Sequence, residues 1–278
     1  MRTNRKRTAL IGAAAAAGLG AAALALSTTG ALAEEPADEL ETRIVGGDVA
    51  DEGQFPWMVS LTWTEDDAHY CGGTLIEDDL VLTAGHCFDD VTAAADIEVR
   101  HGDVTHAETD TYAVEEWLVA EGYDHALEHD WAVLKLAEPV PNAATLPLAA
   151  SDDDDWTEFQ IAGWGVTGHT GTSPDLRWAA VPSIGDAECG ELAQAQDWGF
   201  FPATQMCAGV LEPGAEVNAC PADSGGPLMA EVDGETVLAG LVSFGSDCFA
   251  EPDAGVYASV GAQIDDIAIA VAQLSVNE

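Results

Sequence analysis

The 278 residues suffice for one large domain or two barrel-like lobes, and 47% hydrophobic residues guarantee a buried core. Eight basic residues face 50 acidic ones, a formal net charge of −42, so nucleic acid is excluded as a partner: its phosphates would be repelled. Beyond the first 33 residues no stretch is long and apolar enough to span a bilayer.

Arg2, Arg5, Lys6 and Arg7 precede an Ala-rich apolar run over about residues 9–26, and Ala31-Leu32-Ala33 is a small-x-small cleavage site. This predicts a secretory signal peptide over residues 1–33 rather than a retained anchor, and a mature protein outside the cell and off the membrane. Residues 34–43 are acidic and end in Thr42-Arg43; Ile44-Val45-Gly46-Gly47 then turns abruptly apolar and Gly-rich. The lone Arg43 reads as a processing point, which makes 34–43 a propeptide and 44–278 the folded domain. From Ile44 onward only Arg100, Lys135 and Arg177 oppose 45 acids. Such a surface stays hydrated and dispersed at a cost in self-repulsion that salt screens, as expected of a saline exterior. Attraction of basic substrates is the other reading.

The next segments read as short strands between Gly, Pro and Asp turns: 57–64, 73–76, 80–83, 97–100, 131–136 and 160–164, then 228–232, 237–244 and 255–258. The acid run 152–155 reads as a solvated loop; the acids of 108–116 would allow a calcium site and are as easily explained by the overall charge, so no metal or other cofactor is assigned. Val260, Ile264, Ile267, Ala268, Val271 and Leu274 recur at helical spacing, so the chain closes with an amphipathic helix. The fold class is therefore all-β with a C-terminal helix.

Six cysteines follow the signal segment: Cys71, Cys87, Cys189, Cys207, Cys220 and Cys248. An even count in an exported chain predicts disulfides, with 15 pairings open from spacing alone, and the spacings do not resemble a zinc site.

Three short stretches carry chemistry. Cys220-Pro221-Ala222-Asp223-Ser224-Gly225-Gly226-Pro227 is a tight loop, since Gly-Gly-Pro fits neither a helix nor a regular strand interior. A serine hydroxyl there needs a base to take its proton and donors to hold the oxyanion. Leu82-Thr83-Ala84-Gly85-His86-Cys87 sets a histidine in a small-residue turn after a strand. His129-Asp130-Trp131 sets an acid directly before an apolar strand. Each of the last two has a bland reading alone, as a lone histidine or a strand-capping aspartate; together with Ser224 they form a base, an orienting acid and a nucleophile.

With Gly163-Trp164-Gly165, Ser243-Phe244-Gly245 and Gly255-Val256-Tyr257 in register as well, the chain from Ile44 to the C-terminal helix resembles a trypsin/chymotrypsin-type serine protease. The resemblance implies two packed six-stranded antiparallel β-barrels with the active site between them. It implies that Ser224 attacks the peptide carbonyl, that His86 relays the proton and that Asp130 orients His86, with Ser243 supporting Asp130. It pairs Cys71 with Cys87, Cys189 with Cys207 and Cys220 with Cys248. It implies a zymogen: an activating protease cuts between Arg43 and Ile44, and the new Ile44 amine pairs with Asp223, since a buried carboxylate needs a cation. A monomer acting on protein or peptide substrates is expected. Activity should rise through roughly pH 6–7, near the unperturbed histidine value.

Two positions depart from the family pattern. Ala222 stands where the family usually has glycine; its N–H and that of Ser224 would form the oxyanion hole, so a weakened enzyme or an inactive binding homologue is the alternative. The pocket floor falls on Asn218, followed by Ala219, with Ser243, Phe244, Gly245 and Gly255 on the walls. A neutral floor favours aromatic or long apolar residues before the cut, chymotrypsin-like; Asp247 near the mouth offers a trypsin-like alternative.

Overall fold

The computed structural model describes residues 47–276, apart from 125, 153–155, 168–170, 213–216 and 247–252. The expected signal peptide and propeptide, with Arg43, and Ile44, Asp247, Cys248 and most of the 152–155 acid run lie outside the described residues.

The first barrel is built from β2 (Met58–Trp63), β3 (His69–Leu75), β4 (Leu80–Thr83), β5 (Ile97–His101), β6 (Asp110–Val119) and β7 (Ala132–Leu136), after the two-residue β1 (Asp48–Val49). Antiparallel pairing runs β2-β3-β4-β7-β6-β5 and closes where β5 meets β2, so no edge is left open. The second barrel comprises β8 (Glu158–Gly163), β9 (Arg177–Ile184), β10 (Gln205–Val210), β11 (Pro227–Val232), β12 (Glu235–Gly245) and β13 (Asp253–Ser259). Its order β9-β10-β13-β12-β11-β8 closes through β8 and β9, with β1 added outside on β9. Two closed six-stranded antiparallel barrels and a C-terminal helix are thus the architecture that the sequence leads one to expect.

The strand patterns follow from what each face meets. β5 alternates buried and half-buried residues, as a strand with one face in a core does. β4 and β7 are instead buried at every position because both faces are covered, which makes them largely apolar, with Thr83 at the end of β4 and Lys135 within β7. Val81, Leu134 and Leu136 fill the first barrel with Val59, Leu61 and Ile97. Leu80, Leu82 and Val133 point the other way, into a core shared with Trp164, Met229 and Leu241 of the second barrel. That shared layer fixes one barrel against the other. Lys135, within β7, is buried, and its Nζ donates to the Leu274 carbonyl at 3.0 Å, so a cation caps the last turn of α2 (Ile264–Ser275).

Five elements were not read from the sequence: β1, β6, β9, β10 and a helix, α1 (Asp186–Gln196). In α2 the buried residues are Ile267, Ala270 and Leu274, whereas Ala268, placed on the apolar stripe from spacing, is exposed and Val260 precedes the helix. Disulfides join Cys71 to Cys87 and Cys189 to Cys207, with Cα atoms 6.3 and 6.0 Å apart. Each closes a loop of 16 or 18 residues, worth about 3 kcal/mol through restriction of the unfolded chain. Cys220 is buried, and its expected partner Cys248 lies outside the described residues. No helix among the described residues is long and apolar enough to cross a membrane.

Candidate active site

β4 ends at Thr83, whose hydroxyl donates to the Gly72 carbonyl at 2.7 Å. After the extended Ala84 a single 3-10 turn, Gly85–Phe88, presents His86. The turn needs its glycine: a Cβ on Gly85 would lie 3.2 Å from the Trp131 carbonyl and 3.3 Å from Asp130 Oδ1. The backbone thereby approaches the acid closely. The His86 N–H donates to Asp130 Oδ1 at 2.8 Å, and His86 Nδ1 lies 2.8 Å from Asp130 Oδ2.

Asp130, just ahead of β7, is fully buried. Such a carboxylate is tolerable only with its lone pairs occupied. Besides the two His86 contacts it accepts the Ser243 hydroxyl from β12 at 2.5 Å, within the range of a charge-assisted O–H···O bond. Burial opposes a charge on His86, but the Asp130 hydrogen bond and charge, with help from Asp89, outweigh it and raise the imidazole above its ordinary value. The ring keeps 23% of its side chain exposed, so it is reachable.

The loop bearing Ser224 is stitched to both barrels. Gly225 N–H donates to the Val242 carbonyl at 2.7 Å, and the Ser224 carbonyl accepts from Gly72 N–H of β3 at 2.8 Å. Gly225 has φ +77°, and a Cβ there would meet the Ala84 nitrogen at 2.8 Å and the Gly72 carbonyl at 2.7 Å. The segment next to Ser224 therefore rests on the residues leading into His86, and the Ser224 carbonyl lies 3.8 Å from Cys87 Sγ. Direct hydrogen bonds gather His86, Asp130 and Ser243; backbone contact brings the Ser224 loop beside them.

Ala222 has φ +75°, the left-handed region that favours glycine. Alanine thus holds a conformation that costs of order 1 kcal/mol. Among the described residues neither the Ala222 nor the Ser224 N–H donates to a backbone carbonyl. Asp223 turns the other way and is fully buried. Its Oδ1 accepts Gly165 N–H at 2.7 Å and its Oδ2 accepts Cys220 N–H at 2.9 Å. Side chains at Gly163 or Gly165 would overlap this carboxyl, which explains the Gly-Trp-Gly motif. Burial pushes Asp223 up to about 6 against the pull of those two N–H groups.

Beside Ser224 lies a cavity of about 410 Å³ lined by Asn218, Ala219, Ser243, Phe244, Gly245 and Gly255 among others. None of its described lining residues is charged. Asn218, 1% exposed, turns its Oδ1 onto the Ala219 N–H at 2.8 Å. Gly245 and Gly255 face each other across β12 and β13, and a Cβ on Gly255 would come 3.1 Å from Asn218 Oδ1. The 247–252 segment, with Asp247, is outside the described residues.

The chain matches the family described as Trypsin over residues 44–267. The chain belongs to the trypsin family. It is 34% identical to Trypsin-1 of Astacus astacus, covering 80% of this chain and 97% of that protein. It is also 34% identical to a trypsin-like protease of Streptomyces glaucescens, covering 97% of each. Trypsin-family membership makes the protein a serine endopeptidase.

Around the trypsin-family site stand residues that the sequence did not single out. Tyr123 donates to the Asp89 carboxylate at 3.0 Å, and both flank the His86 turn. Ser60 Oγ lies 2.7 Å from His69 Nδ1 and 2.8 Å from His106 Nε2, and both imidazoles stand edge-on to Trp164. Burial, reinforced by His106, lowers His69 to about 3, so this pair is neutral and structural at working pH. No local signal marks these partners: Ser60 meets His69 nine residues on, across neighbouring strands, and Tyr123–Asp89 and Ser60–His106 pair across 34 and 46 residues.

Proposed function

We propose that the protein is a secreted serine endopeptidase that works through an acyl-enzyme with Ser224 as nucleophile, His86 as base and Asp130 as orienting acid. The observation that carries the reading is the buried Asp130 carboxylate, bound on one side by the backbone and ring of His86 and on the other by Ser243. That arrangement commits Nδ1 to Asp130 and leaves Nε2 to take the Ser224 proton as Oγ attacks the peptide carbonyl. The N–H groups of Ala222 and Ser224 receive the oxyanion. His86 then gives its proton to the leaving amine, and water repeats the sequence to release the acid. Ala222 supports activity rather than a binding homologue, since it adopts the left-handed backbone despite its methyl group.

The precursor is activated by another protease that cuts between Arg43 and Ile44, and the new Ile44 ammonium pairs with Asp223. The raised Asp223 carboxyl supports this: it is buried with two N–H donors and would gain most from a cation. Specificity is for an aromatic or long apolar residue before the cut, because the described pocket is uncharged down to Asn218. Such an enzyme does not readily cut its own Arg43 bond.

A fluorophosphonate should label Ser224 in the cut protein, and Ser224→Ala should abolish both labelling and hydrolysis. A peptide panel varied only before the cut should favour Phe, Tyr or Leu; preference for Arg would overturn the pocket reading in favour of Asp247. The acid limb of kcat/KM should have its midpoint above about 6.5, because Asp130 raises His86. That moves the limb upward from where an unperturbed histidine would put it, and a flat rate from about pH 5 to 8 would remove His86 from the role of base.

A further inference from the structure

Asp130 lies outside regular structure, one residue before Trp131 and two before β7 begins. Its carboxylate is held by His86 and Ser243, but those bonds leave open what fixes the backbone that delivers it. Both neighbours of Asp130 reach the same atom. His129 Nδ1 lies 2.9 Å from Gln263 Oε1, and Trp131 Nε1 donates to that oxygen at 3.1 Å. The other end of Gln263 is anchored in the second barrel: Nε2 donates to the carbonyls of Thr204 at 3.2 Å and Ser259 at 3.1 Å.

The chemistry allows one orientation of this amide. An indole N–H only donates, so the oxygen of Gln263 must face Trp131; two carbonyls only accept, so the NH2 must face Thr204 and Ser259. Because Oε1 cannot donate, His129 must carry its proton on Nδ1. All four hydrogen-bonding positions of Gln263 are then used, and the side chain is 4% exposed, at the entrance of α2.

A second buried amide secures the same segment further back. Gln205 Nε2 donates to the Leu127 carbonyl at 2.7 Å, and its Oε1 accepts the Phe201 N–H at 2.9 Å. Leu127 has φ +62°, a conformation a branched side chain holds only when its surroundings impose it. Residues 127–131 of the first barrel are thus clamped at Leu127, His129 and Trp131 by two glutamines from the second-barrel part of the chain.

We propose that Gln263 is a positioning residue for hydrolysis: gripping the side chains on both sides of Asp130, it sets that carboxylate, and through it the tautomer and aim of His86. This rests on the His86–Asp130–Ser224 reading above. Misplacement of a catalytic group by about 1 Å costs about a hundredfold in rate, so the loss falls on turnover rather than on substrate binding.

The test uses the cut, active enzyme. Gln263→Met keeps the volume and removes both hydrogen-bonding ends. It should lower kcat about tenfold to a hundredfold, leave KM within about twofold, and shift the acid limb of kcat/KM to lower pH as His86 loses part of its Asp130 support. His129→Leu, a half-buried side chain, removes one grip without opening the core. It should give a smaller loss in kcat that His129→Asn partly recovers through its amide N–H. A double variant should lose less than the product of the two single losses. Full kcat in Gln263→Met, or a loss carried in KM with an unmoved pH limb, overturns the proposal. If Gln263→Met does not fold, His129→Leu with wild-type kcat overturns it equally. Hydrolysis by Ser224→Ala at the wild-type rate would instead overturn the triad reading itself, so the two failures are separable.

Discussion

Asp223 offers the sharpest quantitative test of the proposed activation. Its carboxyl, fully buried with two backbone donors, sits at about 6 instead of its ordinary 3.8. In the uncut chain the folded state therefore keeps a proton that the unfolded chain gives up near pH 4. Stability from this group is full below pH 4 and is lost as pH rises through about 6. The gap of about 2 pH units corresponds to about 3 kcal/mol at pH 7. Once the bond after Arg43 is cut, an Ile44 ammonium beside the carboxylate should abolish that loss until the amine itself deprotonates above about pH 8. Urea unfolding of cut Ser224→Ala protein and of uncut Arg43→Gln/Ser224→Ala protein, at about pH 4.5, 7 and 9.5, measures the difference between the two. All other acids are common to both and cancel. The cut form should gain up to about 3 kcal/mol on the uncut form between pH 4.5 and 7, and forfeit it again by pH 9.5. Asp223→Asn should remove the pH dependence of the difference. A gap between cut and uncut protein that stays constant with pH, or that survives Asp223→Asn, would refute the pairing.

Ser243→Ala removes the hydroxyl that donates to Asp130 at 2.5 Å. A hydrogen bond to a charged group contributes about 1.5–3 kcal/mol, so kcat should fall about tenfold to a hundredfold in steady-state assays; wild-type kcat would show that Asp130 needs only His86. Ala222→Gly relieves a left-handed alanine at φ +75°. Thermal unfolding should show a gain of about 1 kcal/mol with kcat no lower than wild type, and a destabilised variant would mean that the methyl packs usefully. With a net charge of −42, the folded state should gain stability between about 10 mM and 1 M salt, where the Debye length shrinks from about 30 to 3 Å. Identical urea midpoints at both salts would remove the saline reading of the acidic surface.

What the sequence makes legible is local. β4 and β7 stand out because burial on both faces makes them largely apolar, and Asp-Gly at 233–234, with φ +53° and +83°, is a hairpin turn written in two residues. β6 hid because Glu115 and Glu116 interrupt it beside a shift in register, β9 because Pro182 lies within it, and β10 because small residues fill much of it. α1 hid because Gly190 sits mid-helix and only Cys189 and Ala193 are buried, so no apolar stripe is needed to hold a helix that a disulfide already ties to β10. The same division runs through the site. His86, Asp130 and Ser224 each announce themselves in a short motif, since each needs a particular turn to present its side chain. Gln263 announces nothing: it acts on residues 132 and 134 positions away, and its two hydrogen-bonding ends have meaning only once the barrels are closed. An amide of this kind is neutral and indifferent to local backbone, so neither periodicity nor turn chemistry restricts where it stands. The residues proposed to carry the chemistry are readable in the chain; those proposed to aim it are readable only in the fold.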